Sequence, residues 1–369
     1  MKILVATDAW HPQVNGVVRT LGHVAREARA LGAAIEFLTP AEFRTLPLPS
    51  YPEVRLAFPP RGAVERRLDA AKPDAVHIAT EGPLGHAMRG LCMRRRIPFT
   101  TSFHTRFPDY IASRLRPLPE RWTGNAAWAW LRRFHAPGAA ILAATPTLQR
   151  ELESRGFHDV KLWPRGVDAD LFRPRARPAS AWPRPLFLTV GRLAVEKNVE
   201  AFLGLDLPGT KLVVGDGPAR AQLEKDYPKA IYLGTKQGEA LADIYAAADV
   251  FVFPSRTDTF GLVLLEALAS GVPVAAFPAP APRDVIGEAP VGALDDDLAR
   301  ACLAALECSR EDCREYALSM SWEASARIFL EHVANATNNP MPEPLKRRRL
   351  PRLPRFRRQK KNAAWSVRA

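Results

Sequence analysis

Short apolar segments alternate with amphipathic ones along most of the chain. Residues 2–7 form a mainly apolar run typical of a buried strand, and residues 18–31 show the 3.6-residue period of a helix that Gly32 ends. The same pattern predicts further strands at residues 33–38, 75–79, 99–102, 140–144 and 160–163, and helices at residues 84–95 and 147–155. This alternation predicts a mostly parallel sheet with helices on both faces.

The alternation stops between residues 165 and 184 and then begins again. The intervening segment is rich in Pro and Arg and has no apolar period, which is typical of a connection between domains. After it, strands are predicted at residues 186–190, 211–214, 231–233, 250–253 and 274–277, with helices at residues 195–203, 219–226, 239–246 and 261–268. The sequence therefore predicts an α/β fold of two doubly wound, Rossmann-like domains, residues 1–170 and 185–320, joined by a linker at residues 171–184.

The last part of the chain differs in composition. Residues 321–338 begin with Ser321, a favourable helix N-cap, and keep a helical apolar rhythm, so a C-terminal helix is predicted there. Residues 339–369 form a basic tail. From Lys346 onward it contains eleven Lys and Arg and no acid, which leaves only +2 of the net charge of +13 for the rest of the chain. Because cations alternate with Pro and a few apolar residues, we expect this tail to be disordered.

Length and composition limit the class of protein. A chain of 369 residues can bury two cores, and its longest uncharged apolar segments are shorter than the roughly 18 residues that a membrane-spanning helix needs. The four cysteines lack metal-ligand spacing, and the N-terminal segment lacks a signal-peptide core. We therefore expect a cytoplasmic protein with neither a disulfide framework nor a zinc site.

Candidate chemistry is concentrated in the stretch PSRTDTFGLVLLEALASG, residues 254–271. Asp258, Phe260 and Gly261 follow a predicted strand, where ligands of doubly wound sheets bind and where the N–H groups of a helix start can hold an anion. Glu266 lies about one and a half turns into the helix, from which it can accept the paired hydroxyls of a ribose. The alternative is that Asp258 is only a helix N-cap and Glu266 an exposed helix residue.

Two more loops of the second half suit a phosphate ligand. The loop in FLTVGRLAVEKNVEAFL supplies Arg192 and Lys197 between a strand and a helix, and a planar guanidinium beside an ammonium suits a diphosphate. The VVGDGPAR turn, with Gly215 and Gly217, predicts a third strand end at which the chain packs closely. Each motif is a weak signal when it occurs alone.

Together, GRLAVEKN, GDGP and the acid pair Asp258 and Glu266 resemble the motifs of the retaining GT-B glycosyltransferases of family 4. In the first half, NGVVRTL and SFHTRFPDY are similar to the phosphate loop and the donor-facing histidine of that family, and the resemblance spans about residues 1–335. It implies the GT-B fold, in which two domains face each other across a cleft. The first would receive the acceptor and the second would bind a nucleotide-sugar.

The resemblance also implies roles for residues of the second domain. Arg192 and Lys197 would bind the donor diphosphate, and Glu266 would bind the ribose hydroxyls. Asp258, with the backbone around Phe260 and Gly261, would hold hydroxyls of the donor sugar. The family more often has Glu at the first acid, so the shorter Asp258 leaves the identity of the donor sugar open.

In the first domain, the resemblance implies that Gly16 lets the main chain approach the phosphate and that His104 faces the sugar near the reacting carbon. A hydrogen-bonded core or loop histidine is the alternative for His104. The expected catalytic residues are therefore His104, Asp258, Arg192 and Lys197.

The family's usual route is a front-face displacement in which the departing diphosphate helps to deprotonate the acceptor hydroxyl. Arg192 and Lys197 would stabilise the developing charge, so we expect a nucleotide-sugar co-substrate, no bound cofactor and no required metal. The sequence DAD at residues 168–170 is similar to a metal-binding D-x-D but lies in the interdomain phrase RGVDADLF. Residues 295–297, DDD, suit a helix N-terminus instead.

Basic and aromatic residues indicate the acceptor side. Residues 94–133 are dense in Arg and carry Trp122, Trp128 and Trp130, a combination that suits an anionic membrane interface. The alternative is a solvated Arg-rich surface with the tryptophans in the core. The tail at residues 346–369 favours the membrane, because each cation near an anionic surface contributes about 1 kcal/mol. Arg165 either lines the cleft or solvates the linker.

We therefore expect a hexosyltransferase, peripherally associated with the inner face of the cell membrane, that transfers sugar from UDP-glucose or UDP-glucuronate to a lipid such as diacylglycerol. The resemblance to bacterial glycolipid-forming members of the family implies this choice. GDP-mannose with a phosphoinositide, another lipid or a saccharide acceptor is the alternative. A nucleic-acid-binding protein would explain the tail, but the domains carry no groove-reading motif, so no specific nucleic acid is expected as a partner.

Overall fold

Two α/β domains, each built on a six-stranded sheet, make up most of the protein. The computed structural model describes residues 1–13, 15–48, 51–104, 120–176 and 181–343. Strands in both large sheets pair in parallel, so the fold class predicted from the alternating pattern is confirmed.

The middle strands of the first sheet are buried on both faces. Its domain contains strands β1 (Lys2–Ala6), β2 (Ala34–Leu38), β3 (Thr45–Leu48), β4 (Tyr51–Ala57), β5 (Ala75–Ile78), β6 (Phe99–Phe103), β7 (Ala140–Ala143) and β8 (Val160–Leu162). Its helices are α1 (Gly16–Ala30), α2 (Ala63–Ala71), α3 (Pro83–Arg95), α4 (Glu120–His135) and α5 (Pro146–Ser154). The strand order is β2-β1-β5-β6-β7-β8, with β3 and β4 as a separate antiparallel hairpin. Every residue of β5, β6 and β7 is buried, so none of these strands alternates between a buried and an exposed face, and the polar residues Thr100, Thr101 and Ser102 of β6 are buried with the rest.

The second sheet repeats this architecture. Its strands are β9 (Leu186–Val190), β10 (Thr210–Val214), β11 (Ile231–Tyr232), β12 (Val250–Phe253), β13 (Val274–Ala276) and β14 (Gly292–Leu294). Its helices are α6 (Val199–Leu203), α7 (Arg220–Asp226), α8 (Gly238–Ala247), α9 (Leu262–Ala269), α10 (Pro280–Ile286), α11 (Leu298–Ala305) and α12 (Arg310–Leu318). The order β11-β10-β9-β12-β13-β14 reverses direction between β9 and β12, which makes the carboxyl ends of these two strands the place where a ligand is expected.

One predicted helix, residues 195–203, is divided in the structure. Val195–Lys197 form a single 3₁₀ turn, and Asn198 follows in the left-handed region at φ 52° before α6 begins. Asn tolerates this conformation better than most residues, because its side chain can hydrogen-bond locally. The break fixes where Lys197 lies relative to the strand end.

The last helix, α13 (Trp322–Thr337), returns to the first domain after the second is complete. Ser321 caps it by accepting from the Ala324 N–H at 3.1 Å. Phe329 and Leu330 are fully buried in the same core as strand β1 and helix α1. The indole of Trp163 donates to the Ser325 carbonyl at 3.1 Å, so the end of the first sheet and the returning helix are tied together.

The segments on either side of α13 are also anchored. The segment that leaves the first domain pairs with the segment that leaves the second, since the Val167 N–H donates to the Met320 carbonyl at 3.0 Å. Residues 339–343, which the sequence prediction placed in the tail, lie against the first domain, where the Asn339 side chain donates to the Asp74 carbonyl at 2.7 Å. The rest of the predicted tail, including residues 346–369, lies outside the described residues.

The predicted linker is anchored to the second domain in its described part. Phe172 is 2% exposed and belongs to the core of that domain. Its carbonyl accepts from the Arg314 guanidinium at 2.7 Å, and the Ala169 carbonyl accepts from the same group at 2.9 Å. Residues 171 and 172 therefore pack as part of a folded domain.

Candidate active site

The loops that follow β9 and β12 meet where the second sheet reverses its strand order. The Lys197 ammonium lies 2.5 Å from Asp258 Oδ1, and the Asn198 side-chain amide donates to the Pro254 carbonyl at 3.1 Å. These two contacts join the loops across the gap between the strand ends. Two residues predicted to bind the donor, far apart in sequence, are thereby brought into direct contact.

Asp258 has a second oxygen that the fold leaves unsatisfied. Its Oδ2 is buried and has no hydrogen-bond partner among the described residues. Gly261, not Asp258, occupies the N-cap position of α9, so the alternative that Asp258 only caps the helix is wrong. A buried carboxylate oxygen without a partner is unfavourable, and a ligand hydroxyl is the kind of group that satisfies it.

Phe260 and Gly261 shape the turn that leads into α9. Gly261 has φ 81°, and a Cβ at this position would lie 3.0 Å from the Phe253 ring. Phe260 is 7% exposed and packs in the core of the second domain. What these two residues can offer a ligand is therefore their main chain, as the sequence analysis expected of them.

The GDGP turn supports the loop that carries Arg192. A Cβ on Gly215 would lie 1.8 Å from the Gly191 carbonyl oxygen, and one on Gly217 would lie 2.4 Å from the Leu193 carbonyl oxygen. Both glycines are therefore required for close contact with the residues on either side of Arg192. The motif positions a cation, and any larger residue would push its loop away.

Glu266 of α9 contacts the first domain through its carboxylate. It is only 2% exposed, so the alternative of an exposed helix residue is wrong. Arg19 of α1 forms an ion pair with Oε1, and the Tyr245 hydroxyl donates to Oε2 at 3.1 Å. Burial is the largest single effect on the pKa of Arg19 and lowers it, but Glu266 and Tyr245 together raise the pKa by more, so it lies above the ordinary value. Burial, aided by the same carboxylate, raises the pKa of Tyr245 well above its ordinary value.

Gly16 begins α1 and faces the start of α9. A Cβ built on Gly16 would come within 3.9 Å of Leu262, which is ordinary contact, so space remains beside it. Asn15 caps the helix by accepting from the Val18 N–H at 3.0 Å. Arg19, whose role the sequence analysis missed, lies three residues after Gly16 and therefore on the same helix face, which is the signal that points to it.

His104 follows β6 and touches the second domain through its backbone, since the Thr259 hydroxyl donates to its carbonyl at 2.9 Å. Its Nδ1 lies 3.3 Å from a guanidinium nitrogen of Arg165, whereas its Nε2 is buried with no hydrogen-bond partner in the described part of the chain. Burial, the Arg165 charge and the nearby rings of His77 and His135 hold the pKa of His104 well below its ordinary value. The ring is therefore neutral.

Arg165 does not solvate the linker, since it is only 5% exposed. It donates to the Trp163 carbonyl at 2.6 Å, and its guanidinium carbon lies 4.1 Å from the Trp163 ring centroid. Burial lowers the pKa of Arg165 to about 9, which still leaves the group charged at neutral pH. A buried cation therefore lies next to Nδ1 of His104.

The other acid clusters have structural partners. Asp168 of the DAD sequence accepts from the Leu171 N–H at 3.2 Å and lies 3.5 Å from the Arg26 guanidinium. Asp297 of the DDD sequence caps α11, where it accepts from the Ala299 N–H at 3.0 Å. Both clusters serve turns and helix starts, as the sequence analysis preferred.

The Arg- and Trp-rich segment 94–133 has one tryptophan in the core, as a solvated Arg-rich surface would have, and one exposed tryptophan, as a membrane interface would have. Trp128 stacks on a core phenylalanine with a ring separation of 5.9 Å, whereas Trp130 is 44% exposed. Arg95 is paired with two acids of α2. Residues 105–119 and the Trp122 side chain lie outside what the structure describes. Across the described residues, every helix is too short or too polar to span a bilayer.

Comparison with known proteins places both halves of the chain in one group of enzymes. The family described as Glycosyltransferase Family 4 matches residues 14–171, and that described as Glycosyl transferases group 1 matches residues 184–308. The chain is 33% identical over 312 residues to a GDP-mannose-dependent alpha-mannosyltransferase of Mycobacterium tuberculosis, which covers 78% of this chain and 81% of that protein.

Two further likenesses extend this result. The chain is 28% identical over 382 residues to an alpha-monoglucosyldiacylglycerol synthase of Streptococcus pneumoniae, covering 90% of this chain and 84% of that protein. The solved structure of sucrose-phosphate synthase from Thermosynechococcus elongatus matches with a TM-score of 0.69 at 20% identity, over 88% of this chain and 96% of that one. At this identity the structural likeness bears on the fold alone.

Proposed function

The chain belongs to glycosyltransferase family 4, and we propose that it transfers a sugar from a nucleotide-sugar to a membrane lipid with retention of the anomeric configuration. It is a glycosyltransferase of the GT-B fold. One observation carries the proposal. The loops after β9 and β12 bring Lys197 to Asp258, whose second carboxylate oxygen is buried without a partner among the described residues.

The second domain binds the donor in this proposal. Arg192 and Lys197 hold the diphosphate, Asp258 accepts hydroxyls of the sugar, and Glu266 accepts the ribose hydroxyls. Lys197 already lies 2.5 Å from Asp258, so the diphosphate and the sugar are bound by groups that also hold each other. Because Glu266 is paired with Arg19, a ribose bound there takes the place of that guanidinium.

The chemistry follows from these positive groups. The bond between the anomeric carbon and the diphosphate oxygen breaks, and the acceptor oxygen bonds to the same face of that carbon. The acceptor proton passes to the departing diphosphate. Arg192 and Lys197 stabilise the charge that develops on the leaving group, which is the task that a metal ion performs in other enzymes. We therefore propose that the transfer needs no metal.

The names of the relatives order the candidate donors. The relative named as GDP-mannose-dependent is the more similar of the two described above, and further relatives with that name share 32% and 30% identity. GDP-mannose is therefore the first donor to test. Transfer of glucose to diacylglycerol, for which the sequence analysis favoured UDP-glucose as the donor, is second and is supported by the relatives named as alpha-monoglucosyldiacylglycerol synthases.

The described surface supports an acceptor at an anionic membrane. The ring of Trp130 on α4 stacks on His86 of α3 at 5.5 Å, so these two helices lie side by side. Exposed cations and apolar side chains of these two helices and of the residue after α3 are Met93, Arg94, Arg96, Trp130 and Arg133. Cations next to an amphipathic aromatic residue are typical of a protein surface that binds anionic lipid.

The test is incorporation of labelled sugar into extractable lipid. Purified full-length protein is incubated separately with GDP-mannose, UDP-glucose and UDP-glucuronate, with anionic vesicles that contain diacylglycerol or a phosphoinositide. We expect one donor to label lipid, the label to be lost in Lys197→Ala, and the label to fall when residues 346–369 are removed. Lys225→Ala, at an exposed lysine of α7, is the matched control. Label in a soluble saccharide instead of lipid would contradict the proposed acceptor, and no donor binding at all would contradict the proposed function.

A further inference from the structure

The contact between Arg165 and His104 determines where the imidazole proton lies. A guanidinium has five N–H donors and no acceptor, so it can approach a ring nitrogen closely only if that nitrogen presents its lone pair. Arg165 lies 3.3 Å from Nδ1 of His104. In a neutral imidazole one nitrogen accepts and the other carries the proton, so the proton of His104 is on Nε2.

Arg165 is held in place independently of His104. One guanidinium nitrogen donates to the Trp163 carbonyl at 2.6 Å, and the group stacks over the Trp163 ring at 4.1 Å. Trp163 is itself fully buried, and its indole N–H is bound by the Ser325 carbonyl of α13 at 3.1 Å. These contacts hold the cation next to Nδ1 of His104 without any contribution from the His104 ring.

The neighbouring histidines do not offer His104 another proton arrangement. Both ring nitrogens of His77 are taken by Thr100 and Ser102, each at 2.8 Å. His135 is occupied in the same way by a threonine at 2.8 Å and a glutamate at 3.2 Å. Burial is the largest effect that lowers the pKa of His104, and among the described residues the Arg165 charge and these two rings lower it further, which keeps the ring neutral.

Nε2 of His104 has no protein partner among the described residues, although it is buried. Resting on the glycosyltransferase function proposed above, we infer that Arg165 is a positioning residue that fixes His104 as the Nε2–H tautomer and makes this N–H a hydrogen-bond donor to an oxygen of the bound nucleotide-sugar. His104 therefore does not act as a general base, because Nδ1 faces a cation and Nε2 already carries the proton. This agrees with proton transfer from the acceptor to the leaving diphosphate.

The tautomer can be measured without any substrate. In protein labelled with ¹⁵N-histidine, long-range ¹H–¹⁵N spectra between pH 6 and 8 distinguish the two neutral tautomers from the charged ring, and the His104 signals are those missing in His104→Gln. We expect the neutral Nε2–H tautomer in the parent chain and a mixture of tautomers in Arg165→Met. Arg314→Met, which removes a guanidinium bound to carbonyls elsewhere, is expected to leave these signals unchanged. A charged ring or the Nδ1–H tautomer in the parent chain would overturn the inference, and so would an unchanged tautomer in Arg165→Met.

Kinetics then show whether Arg165 acts through His104. Arg165→Met is expected to lower kcat/KM by about three- to tenfold, the effect of losing a neutral hydrogen bond to the ligand. A Gln at position 104 keeps an N–H near the place of Nε2, so Arg165→Met should cause no further loss in the His104→Gln background. An equal loss in both backgrounds would show that Arg165 acts on its own. If no donor is used at all, the proposed function fails while the tautomer result still stands.

Discussion

Glu266 holds the opposite domain and is also the residue proposed to bind the ribose, and mutation can separate the two roles. The carboxylate is 2% exposed, with Arg19 on one oxygen and the Tyr245 hydroxyl at 3.1 Å from the other. A hydrogen bond to a charged group contributes about 1.5–3 kcal/mol. Each 1.4 kcal/mol is roughly a factor of ten in affinity, so Glu266→Ala is expected to weaken donor binding by about 10- to 150-fold.

Arg19→Ala provides the decisive background for that measurement. If the ribose binds Glu266 as proposed, it competes with the Arg19 guanidinium for the same carboxylate, so Arg19→Ala is expected to bind the donor at least as tightly as the parent chain. Glu266→Ala should still cause its full loss in this background if the carboxylate binds ribose directly. Titration calorimetry with GDP-mannose and with UDP-glucose measures both effects, with thermal unfolding as the check that each variant is folded.

The control for this cycle is Glu307→Ala, which removes an exposed carboxylate after α11. It is expected to leave donor affinity unchanged. If Glu266→Ala has no effect once Arg19 is absent, then the carboxylate acts only by holding the domains together. The ribose assignment would be refuted by that result, and the observed loss in the parent chain would be an effect on domain closure.

Three further predictions concern the GDGP turn, the buried His77 and the need for a metal. Gly215→Ala puts a Cβ 1.8 Å from the Gly191 carbonyl oxygen, so it should lower both the melting temperature and the donor affinity. The control is Gly22→Ala in α1, where a Cβ has nothing within 4 Å and should raise the free energy of unfolding by about 0.5–1 kcal/mol. Burial lowers the pKa of His77 from its ordinary 6.5 to about 3. Between these two pH values the unfolded state binds a proton at His77 that the folded state does not bind, so the free energy of unfolding falls by about 1.4 kcal/mol for each pH unit below 6.5. Urea unfolding at pH 7 and pH 5 measures this, and the pH dependence should be smaller in His77→Gln. Transfer activity should be unchanged by EDTA, and a loss restored by added Mg²⁺ or Mn²⁺ would contradict metal-independent catalysis.

The parts of the fold that the sequence predicted best are strands buried on both faces. β9 and β12 have the predicted bounds, because a short apolar run between polar loops is typical of a strand that is covered on both faces of a parallel sheet. The β3–β4 hairpin and α10 were not predicted. Prolines interrupt both segments, and their structure depends on packing against neighbours that local sequence does not reveal.

The site shows the same division between local and distant information. Lys197 and Asp258 follow two strands that are neighbours in the observed strand order, so a doubly wound topology already predicts that they lie close together. The partners of Glu266 could not be derived in this way, because Arg19 belongs to the other domain and Tyr245 to a different helix. Their contacts depend on how the domains face each other, which no local pattern encodes.

The contacts between the domains fall into two kinds, and the difference bears on how a donor can enter. The contact at Glu266 and the one at the His104 carbonyl both use residues that are proposed to bind the donor. A third contact does not, since Asp284 of α10 accepts from the N–H and the hydroxyl of Thr147 in α5, at 3.0 and 2.7 Å. In this proposal, donor binding replaces the contact at Glu266. The contact at the His104 carbonyl can persist, because the proposed donor contact of His104 uses Nε2 of its ring, and the contact between Asp284 and Thr147 can persist as well. Because α13 also ties the chain back to the first domain, the domains can remain joined while the ribose displaces the Arg19 guanidinium from Glu266.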